Sequence, residues 1–230
     1  MYIVEIVQTL KKIIMKIQPI RLGKLYKLML LSETGYFLKN NEIPFYFKNR
    51  YELYEYIQKD LVRNKTIDYL EFGVYKGESL RYWVEMNTNP RARFFGFDSF
   101  EGLPEEWTKV WGSLPEGSFN VDGKIPIIED PRVTLIKGWF QDTLDNFLRN
   151  YNASDHLKVV HIDADLYSST LYVLTKLDNL LSKGDIIIFD EFSSGDECKA
   201  FLDYSSAYMK NFKIVAASGA SYQQVAFVVA

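Results

Sequence analysis

The chain has 230 residues, of which 47% are hydrophobic and 25% charged, a composition typical of a globular protein with a sizeable core. Its net charge of −3 at neutral pH gives no general electrostatic reason to expect nucleic-acid binding. The single cysteine, Cys198, excludes a disulfide within the chain and fits a reducing compartment. Since neither a membrane-spanning apolar stretch nor a secretory signal is evident, we expect a cytoplasmic protein.

The N-terminal segment is basic and amphipathic. Residues 1–30 carry a net charge of +5, which leaves −8 for the rest of the chain because the total is −3. A helix that ends at Pro19 is predicted by apolar residues spaced four and three apart, namely Ile3, Val7, Leu10, Ile14 and Ile17. Such a helix packs on the main domain or on a second subunit, or it rests on a membrane surface. We favour the packed arrangement and a homo-oligomer, and we interpret residues 1–65 as a helical extension that forms a lid or subunit contacts.

From about residue 66, short apolar runs alternate with helical patterns. The runs are residues 67–73, 93–98, 132–138, 157–163 and 184–191, each of which ends in Gly or an acid. Helices are predicted at 78–86 and at 168–181, where Ser168 is a plausible N-cap. This alternation predicts a parallel sheet that is covered by helices on both faces.

The last two apolar runs, 212–218 and 223–229, are separated by only a few residues that include Gly219. Such a short connection is typical of an antiparallel hairpin, because parallel strands need a longer crossover. Five parallel strands followed by a hairpin are the outline of the class I methyltransferase fold. We therefore predict an α/β, Rossmann-like domain over residues 66–230, with a mostly parallel seven-stranded sheet that follows N-terminal helices.

Acidic residues stand at the carboxyl ends of four predicted strands. They are Glu71, Asp98, Asp163, Asp190 and Glu191. Ligands of open α/β sheets bind in the crevice outside these strand ends, so we expect the five carboxylates to converge there. The three on neighbouring strands, Asp163, Asp190 and Glu191, form an oxygen-only set that suits Mg²⁺, Mn²⁺ or Ca²⁺ rather than zinc.

The loop after the first strand contains Gly73 and Gly77, which allow a tight turn and close approach of the backbone to a ligand. The dinucleotide fingerprint G-x-G-x-x-G is absent, which argues against an NAD site. Asp98, which lies 25 residues after Gly73, can accept hydrogen bonds from ribose hydroxyls. Asp98 strengthens the interpretation of this loop as a cofactor site, and the alternative is that Asp98 only caps the segment SFEGLP.

Five ordered motifs resemble the macrocin-type O-methyltransferases, a family of S-adenosylmethionine-dependent enzymes that methylate sugar hydroxyls. The motifs are LEFGVYKGESL, GFDSFEGLPEEW, KGWFQDTL, HIDADLYSST and GDIIIFDEF, and the resemblance covers about residues 66–205. It implies O-methylation of a sugar or glycosylated small molecule by an oligomeric, magnesium-binding enzyme. The implied cofactor contacts are Glu71, Gly73, Tyr75, Asp98, Ser99, Gly138, Trp139 and Phe140.

The same resemblance places the magnesium ligands at Asp163, Asp190 and Glu191. The family usually has two aspartates at the second position, whereas this chain has Asp-Glu, so Glu191 ligates directly, acts through water or does not ligate. Asp163 is the favoured general base for the acceptor hydroxyl, and Asp165 is the alternative. Asp165 could instead cap the following helix, and His161 is expected in the core.

The long connection 101–131 contains Trp107, Trp111 and Phe119, and we interpret it as part of the acceptor pocket. The sequence leaves open the acceptor, methylation of an amino-sugar nitrogen, and a non-catalytic cofactor-binding module. The D-x-D in HIDADLY also occurs in haloacid-dehalogenase phosphatases, where it follows the first strand, and in nucleotide-sugar glycosyltransferases, which leave the glycine loop unexplained.

Overall fold

The computed structural model describes residues 2–15, 23–152 and 155–230. Its strands are β1 Tyr46–Phe47, β2 Ile67–Phe72, β3 Arg93–Asp98, β4 Trp107–Thr108, β5 Ser113–Leu114, β6 Val133–Lys137, β7 Leu157–Ile162, β8 Ile186–Phe189, β9 Phe212–Ser218 and β10 Gln224–Val229. Its α-helices are α1 Tyr2–Ile14, α2 Gly23–Lys39, α3 Arg50–Tyr56, α4 Glu78–Met86, α5 Phe140–Asn150, α6 Tyr167–Leu177 and α7 Asp196–Ala207. A π-helical turn, Ile57–Val62, continues α3, and a 3-10 turn, Phe192–Ser194, precedes α7.

The main sheet has eight strands in the order β1-β9-β10-β8-β7-β2-β3-β6. The five strands predicted to be parallel are parallel, and β10 runs antiparallel to β8 and β9, so the predicted α/β architecture is confirmed. The predicted number of seven strands is one too few, because β1 pairs with β9 at the edge. A strand of two residues is too short to show a period-two pattern in the sequence.

Both faces of the sheet are covered by helices. The central strand β2 is buried along its whole length, as expected of a parallel strand between two helical layers. Leu70 and Phe72 belong to a hydrophobic cluster with residues of α6 and α7. Ile67 and Tyr69 belong to a second cluster with residues of α3 and α4, including Trp83. The alternation of side chains along β2 thus divides the core into two layers.

Helix α6 begins at residue 167 and ends at 177, whereas the sequence predicted 168–181. Its N-cap is Leu166, which makes no side-chain capping bond, so neither Ser168 nor Asp165 caps the helix. The Ser168 hydroxyl instead donates to Glu105 Oε1 at 2.5 Å. Ser168 therefore bonds the long 101–131 connection instead of capping α6.

The N-terminal part of the chain is attached to the sheet in some places and exposed in others. Every described side chain of α1 is exposed, including Val7 and Leu10 of the predicted stripe, so that stripe does not pack on the main domain. Ile17 and Pro19 lie outside the described residues. Helix α2, by contrast, buries Leu30, Thr34 and Leu38. In the parts of the chain that the structure describes, no helix is long and apolar enough to cross a membrane.

A buried carboxylate fixes the beginning of β2 to neighbouring elements. Asp68 is 0% exposed and accepts from Arg93 Nε at 2.7 Å, His156 Nδ1 at 2.8 Å and the Tyr151 hydroxyl. Burial alone raises the pKa of Asp68, but the hydrogen bonds from Arg93, Tyr151 and His156 outweigh it and leave the pKa below its ordinary value. This carboxylate lies near the amino-terminal end of β2, opposite the strand ends where ligands bind, so it serves stability rather than chemistry.

Candidate active site

A cavity of about 290 Å³ lies at the carboxyl ends of the parallel strands. The predicted site residues that line it are Gly73, Tyr75, Asp98, Ser99, Gly138, Trp139, Phe140, Asp163, Asp165, Asp190 and Glu191. The carboxyl ends of the parallel strands thus bring together residues that are distant in sequence, at the place where ligands of such sheets bind. The cavity is large enough for part of a small-molecule ligand.

The turn between β2 and α4 can be built only with glycine at its first position. Gly73 has φ of +96°, and a Cβ atom there would lie 1.9 Å from the carbonyl oxygen of Asp163. Asp98 holds the same turn, since its Oδ2 accepts from the backbone N–H groups of Val74 at 2.8 Å and Tyr75 at 2.7 Å. Its Oδ1 accepts from the N–H of Phe100 at 2.6 Å. Asp98 thus organises the loop, in addition to its predicted contact with ribose.

Glu71 is the predicted cofactor residue that does not line the cavity. Its side chain is fully buried and accepts from the Tyr69 hydroxyl at 2.8 Å and the Ser79 hydroxyl at 2.6 Å. The carboxylate therefore lies behind the cavity wall, and its side chain makes no direct contact with the cavity. A strand directs successive side chains to opposite faces, and the resemblance alone did not indicate which face Glu71 takes.

His161 lies in the core, as the sequence predicted, and it is fully buried. Its Nδ1 is 2.8 Å from the Tyr69 hydroxyl and its Nε2 is 3.3 Å from the Tyr54 hydroxyl. Burial lowers the pKa of His161, but Asp190 and Glu71 outweigh that effect and raise it to about 10. The positive charge of a buried imidazolium favours the ionised form of the neighbouring Asp190, whose pKa is lowered.

Four of the carboxylates that line the cavity, Asp163, Asp165, Asp190 and Glu191, follow β7 and β8, and their environments differ. Asp190 is 4% exposed; burial raises its pKa, but the bond to His161 and the charge of Arg50 outweigh that and leave the pKa low. Burial and the charge of Asp190 hold the pKa of Asp163 well above its usual range. Burial and the charge of Glu191 raise the pKa of Asp165 to about 7, although Lys109 opposes the shift. Burial and repulsion between neighbouring carboxylates thus oppose the ionisation of Asp163 and Asp165.

The donor set fits a hard divalent cation in its chemistry, because Asp163, Asp190 and Glu191 all present oxygens to the cavity. In addition, Oε1 of the nearby Glu197 is buried without a hydrogen-bond partner. Among the described residues, however, no three His, Cys, Asp or Glu side chains are grouped in an arrangement that could hold a metal ion. Arg50 Nη1 lies 3.5 Å from Asp190 Oδ2, and Gln223 donates to Glu191 Oε1 at 2.8 Å. Metal binding thus requires these two carboxylates to reorient.

Several cavity residues were not predicted from the sequence. Arg50 enters the cavity from the first residue of α3, a helix that Asn49 caps by accepting from two backbone N–H groups. Lys109 lines the cavity with its Nζ 3.4 Å from the centre of the Trp107 ring. The Asn49 cap is a readable sequence signal for where the helix begins. No local signal indicates that the helix directs Arg50 to a carboxylate in the second half of the chain.

The long connection 101–131, which the sequence analysis interpreted as part of the acceptor pocket, contributes to the cavity wall. Trp107 and Phe119 line the cavity, and the Phe119 ring packs edge-on against Tyr75 with centroids 5.8 Å apart. Trp111, by contrast, is 83% exposed and does not line it. Two of the three aromatic residues that suggested an acceptor pocket are therefore at the cavity.

The strand order, the antiparallel β10 and the position of the cavity are those of the class I methyltransferase fold. Solved structures agree, since the calicheamicin methyltransferase CalS11 superposes with a TM-score of 0.61 at 18% identity, covering 87% of this chain and 91% of that one. The O-methyltransferase NovP superposes with a TM-score of 0.56 at 21% identity, covering 78% of this chain and 79% of that one.

Sequence comparison shows which known proteins part of this chain resembles. Residues 124–216 match the family model described as Macrocin-O-methyltransferase (TylF). The chain is 30% identical to the 8-demethyl-8-(2,3-dimethoxy-alpha-L-rhamnosyl)-tetracenomycin-C 4'-O-methyltransferase of Streptomyces olivaceus, over 61% of this chain and 59% of that protein. It is 36% identical to the demethyldecarbamoylnovobiocin O-methyltransferase of Streptomyces niveus, over 63% of this chain and 60% of that protein. Over part of its length the chain is therefore similar to macrocin O-methyltransferases, and the matches cover less than two thirds of the length of these two relatives.

Proposed function

We propose that this protein transfers a methyl group from S-adenosylmethionine to a hydroxyl of a sugar or of a glycosylated small molecule. The observation that carries the proposal is that eleven of the predicted site residues, Gly73, Asp98 and Asp165 among them, line one cavity. The names of the two relatives describe O-methyltransferases of a rhamnosyl-tetracenomycin and of a novobiocin derivative. They support a sugar or glycoside as the acceptor class.

The cofactor occupies the part of the cavity formed by the β2–α4 turn and the residues after β3 and β6. Gly73 lines this part of the cavity, while Asp98 and Ser99 follow β3 at the position where an acid contacts ribose hydroxyls. The turn Gly138, Trp139 and Phe140 closes the same side and supplies aromatic surface for an adenine ring. The methyl donor is then held beside the carboxylates of β7 and β8.

The acceptor hydroxyl must lose its proton as it attacks the methyl carbon, and a cavity carboxylate takes that proton. Two observations support Asp165 in this role, in preference to Asp163. Asp165 lines the cavity while only 9% exposed, and its backbone has φ of +59°, a strained conformation that is concentrated at functional sites. Asp163 is left to orient the acceptor and, with Asp190 and Glu191, to hold a cation.

We include a magnesium ion in the proposal, held by Asp163, Asp190 and Glu191. Its support is the oxygen-only donor set and the buried Oε1 of the nearby Glu197, which has no hydrogen-bond partner. When bound, the ion supplies a Lewis acid that lowers the pKa of the acceptor hydroxyl. Glu191 is one methylene longer than the aspartate usual in the family, so its contact is either direct or through water.

A homo-oligomer in the cytoplasm completes the proposal. The apolar side chains Ile6, Leu10 and Ile13 of α1 are each more than half exposed, which supports a partner surface, most simply on a second copy of the chain. Contact with a membrane surface is the alternative for the same helix.

Two measurements test the proposed function. Titration calorimetry should show binding of S-adenosylhomocysteine, and labelled S-adenosylmethionine should methylate at least one member of a panel of free sugars, sugar nucleotides and glycosides. The Asp165→Asn variant should bind the cofactor product normally and lose transfer. Absence of binding to S-adenosylhomocysteine by the folded protein would refute the proposal.

A further inference from the structure

A single buried carboxylate connects the N-terminal helix α2 with the wall of the cavity. Asp196 is the first residue of α7 and is 5% exposed. Its two oxygens accept from Lys27 Nζ at 2.6 and 2.7 Å, and Oδ2 also accepts from Trp107 Nε1 at 3.1 Å. Lys27 lies on α2 and Trp107 on β4, so Asp196 bonds two elements that flank α7. Its place at a helix N-terminus also stabilises the carboxylate.

Helix α2 is held close to this carboxylate by its packing. Gly195 precedes Asp196 with φ of +96°, and a Cβ atom there would lie 3.0 Å from Leu30 Cβ. Leu30 itself is 3% exposed. Lys27 is three residues before Leu30 on the same helix, and residues three apart share a face. The packing of Leu30 on Gly195 therefore directs the Lys27 ammonium to Asp196.

The other end of the link reaches the cavity directly. Trp107 lines the cavity and is 2% exposed, packed with Leu103, Leu114 and Leu166. Lys109, which lines the same wall, places its ammonium 3.4 Å from the centre of the Trp107 ring. The strands β4 and β5 have two residues each, and so short a hairpin has little stability of its own. Its place in the wall depends on what holds Trp107.

We propose that Asp196 is a positioning residue for the acceptor, acting through Trp107. The link from Lys27 through Asp196 to Trp107 holds the β4–β5 hairpin against the cavity, and thereby sets the affinity for the acceptor without touching it. The effect on acceptor affinity rests on the proposed methyl transfer. The link from Lys27 through Asp196 to Trp107 does not depend on that proposal. It assigns a part in acceptor binding to α2, which lies outside the family motifs.

Hydrogen–deuterium exchange tests the link in the full-length protein with S-adenosylhomocysteine bound. Peptides that cover residues 103–118 should exchange about tenfold faster in Lys27→Met and Asp196→Asn, since a charged hydrogen bond in a partly buried place is lost. Lys27→Arg should restore slow exchange, and Lys24→Met, an exposed lysine on the same helix, should have no effect. Equal exchange in Lys27→Met and Lys24→Met would overturn the proposal. Lys27→Met decides the outcome even where Asp196→Asn fails to fold.

The kinetic consequence separates positioning from a merely structural role. For an acceptor that is methylated, Lys27→Met should raise the acceptor KM about tenfold, with kcat and affinity for S-adenosylhomocysteine within about twofold of the parent protein. A fall in kcat with unchanged KM would contradict the positioning role. Because the exchange experiment needs no methyl transfer, failure of the link and failure of the proposed O-methylation are distinguishable.

Discussion

The loop that Asp98 organises offers the sharpest test of the cofactor site. Asp98→Ala removes three hydrogen bonds from the backbone N–H groups of Val74, Tyr75 and Phe100, which are 2.6–2.8 Å long. A hydrogen bond to a charged acceptor contributes roughly 1.5–3 kcal/mol. Asp98 is partly exposed, so water replaces part of what is lost, and we expect a net loss of about 3 kcal/mol in cofactor binding.

That loss corresponds to a dissociation constant for S-adenosylhomocysteine raised by about two orders of magnitude. Asp98→Asn should be milder, because its amide oxygen can still accept from Val74 and Tyr75 while its amide nitrogen faces the N–H of Phe100. Titration calorimetry measures both variants, with Asp122→Asn as an exposed control in the neighbouring connection. A folded Asp98→Ala protein that binds S-adenosylhomocysteine within about threefold of the parent would refute both the loop and the ribose role of Asp98.

Four further outcomes are expected. Gly73→Ala should abolish cofactor binding, because its Cβ meets the Asp163 carbonyl oxygen at 1.9 Å; normal binding would show that the turn adapts. EDTA should abolish turnover and Mg²⁺ restore it, and Asp163→Asn should lose most of kcat while it still binds the cofactor; full activity in EDTA would exclude the metal. Asp68→Asn should lower the free energy of unfolding by about 2 kcal/mol at pH 7. Because the folded-state pKa of Asp68 is depressed, this stabilisation is present above about pH 4 and lost as the pH falls further. Urea unfolding at pH 3 should therefore show a smaller difference in the free energy of unfolding between the parent protein and Asp68→Asn. An equal difference at pH 3 and pH 7 would contradict this reasoning. Deleting residues 1–20 should change the oligomeric state in light scattering; an unchanged state with lost liposome binding would favour the membrane alternative.

The order and spacing of short patterns determined most of the fold. Residues 93–98 and 212–218 were predicted with the bounds that the structure shows for β3 and β9, because continuous apolar runs between turn residues are local properties of the chain. The same holds for the placement of Gly73, Asp98 and Asp163 at one edge, since parallel strands bring their carboxyl ends together. The family motifs lie in this part of the chain, which is why they could be read without coordinates.

The tertiary structure alone decided which side chains face the cavity and which residues from outside the motifs reach it. Glu71 belongs to a motif but lies behind the wall, and the two-residue strand β1 was too short for any sequence pattern. Arg50 meets Asp190 across the fold, and Lys27 meets Asp196 although 169 residues separate them. Periodicity and capping act over a few residues, whereas these contacts depend on how α2 and α3 pack on the completed sheet, so the sequence by itself could not predict them.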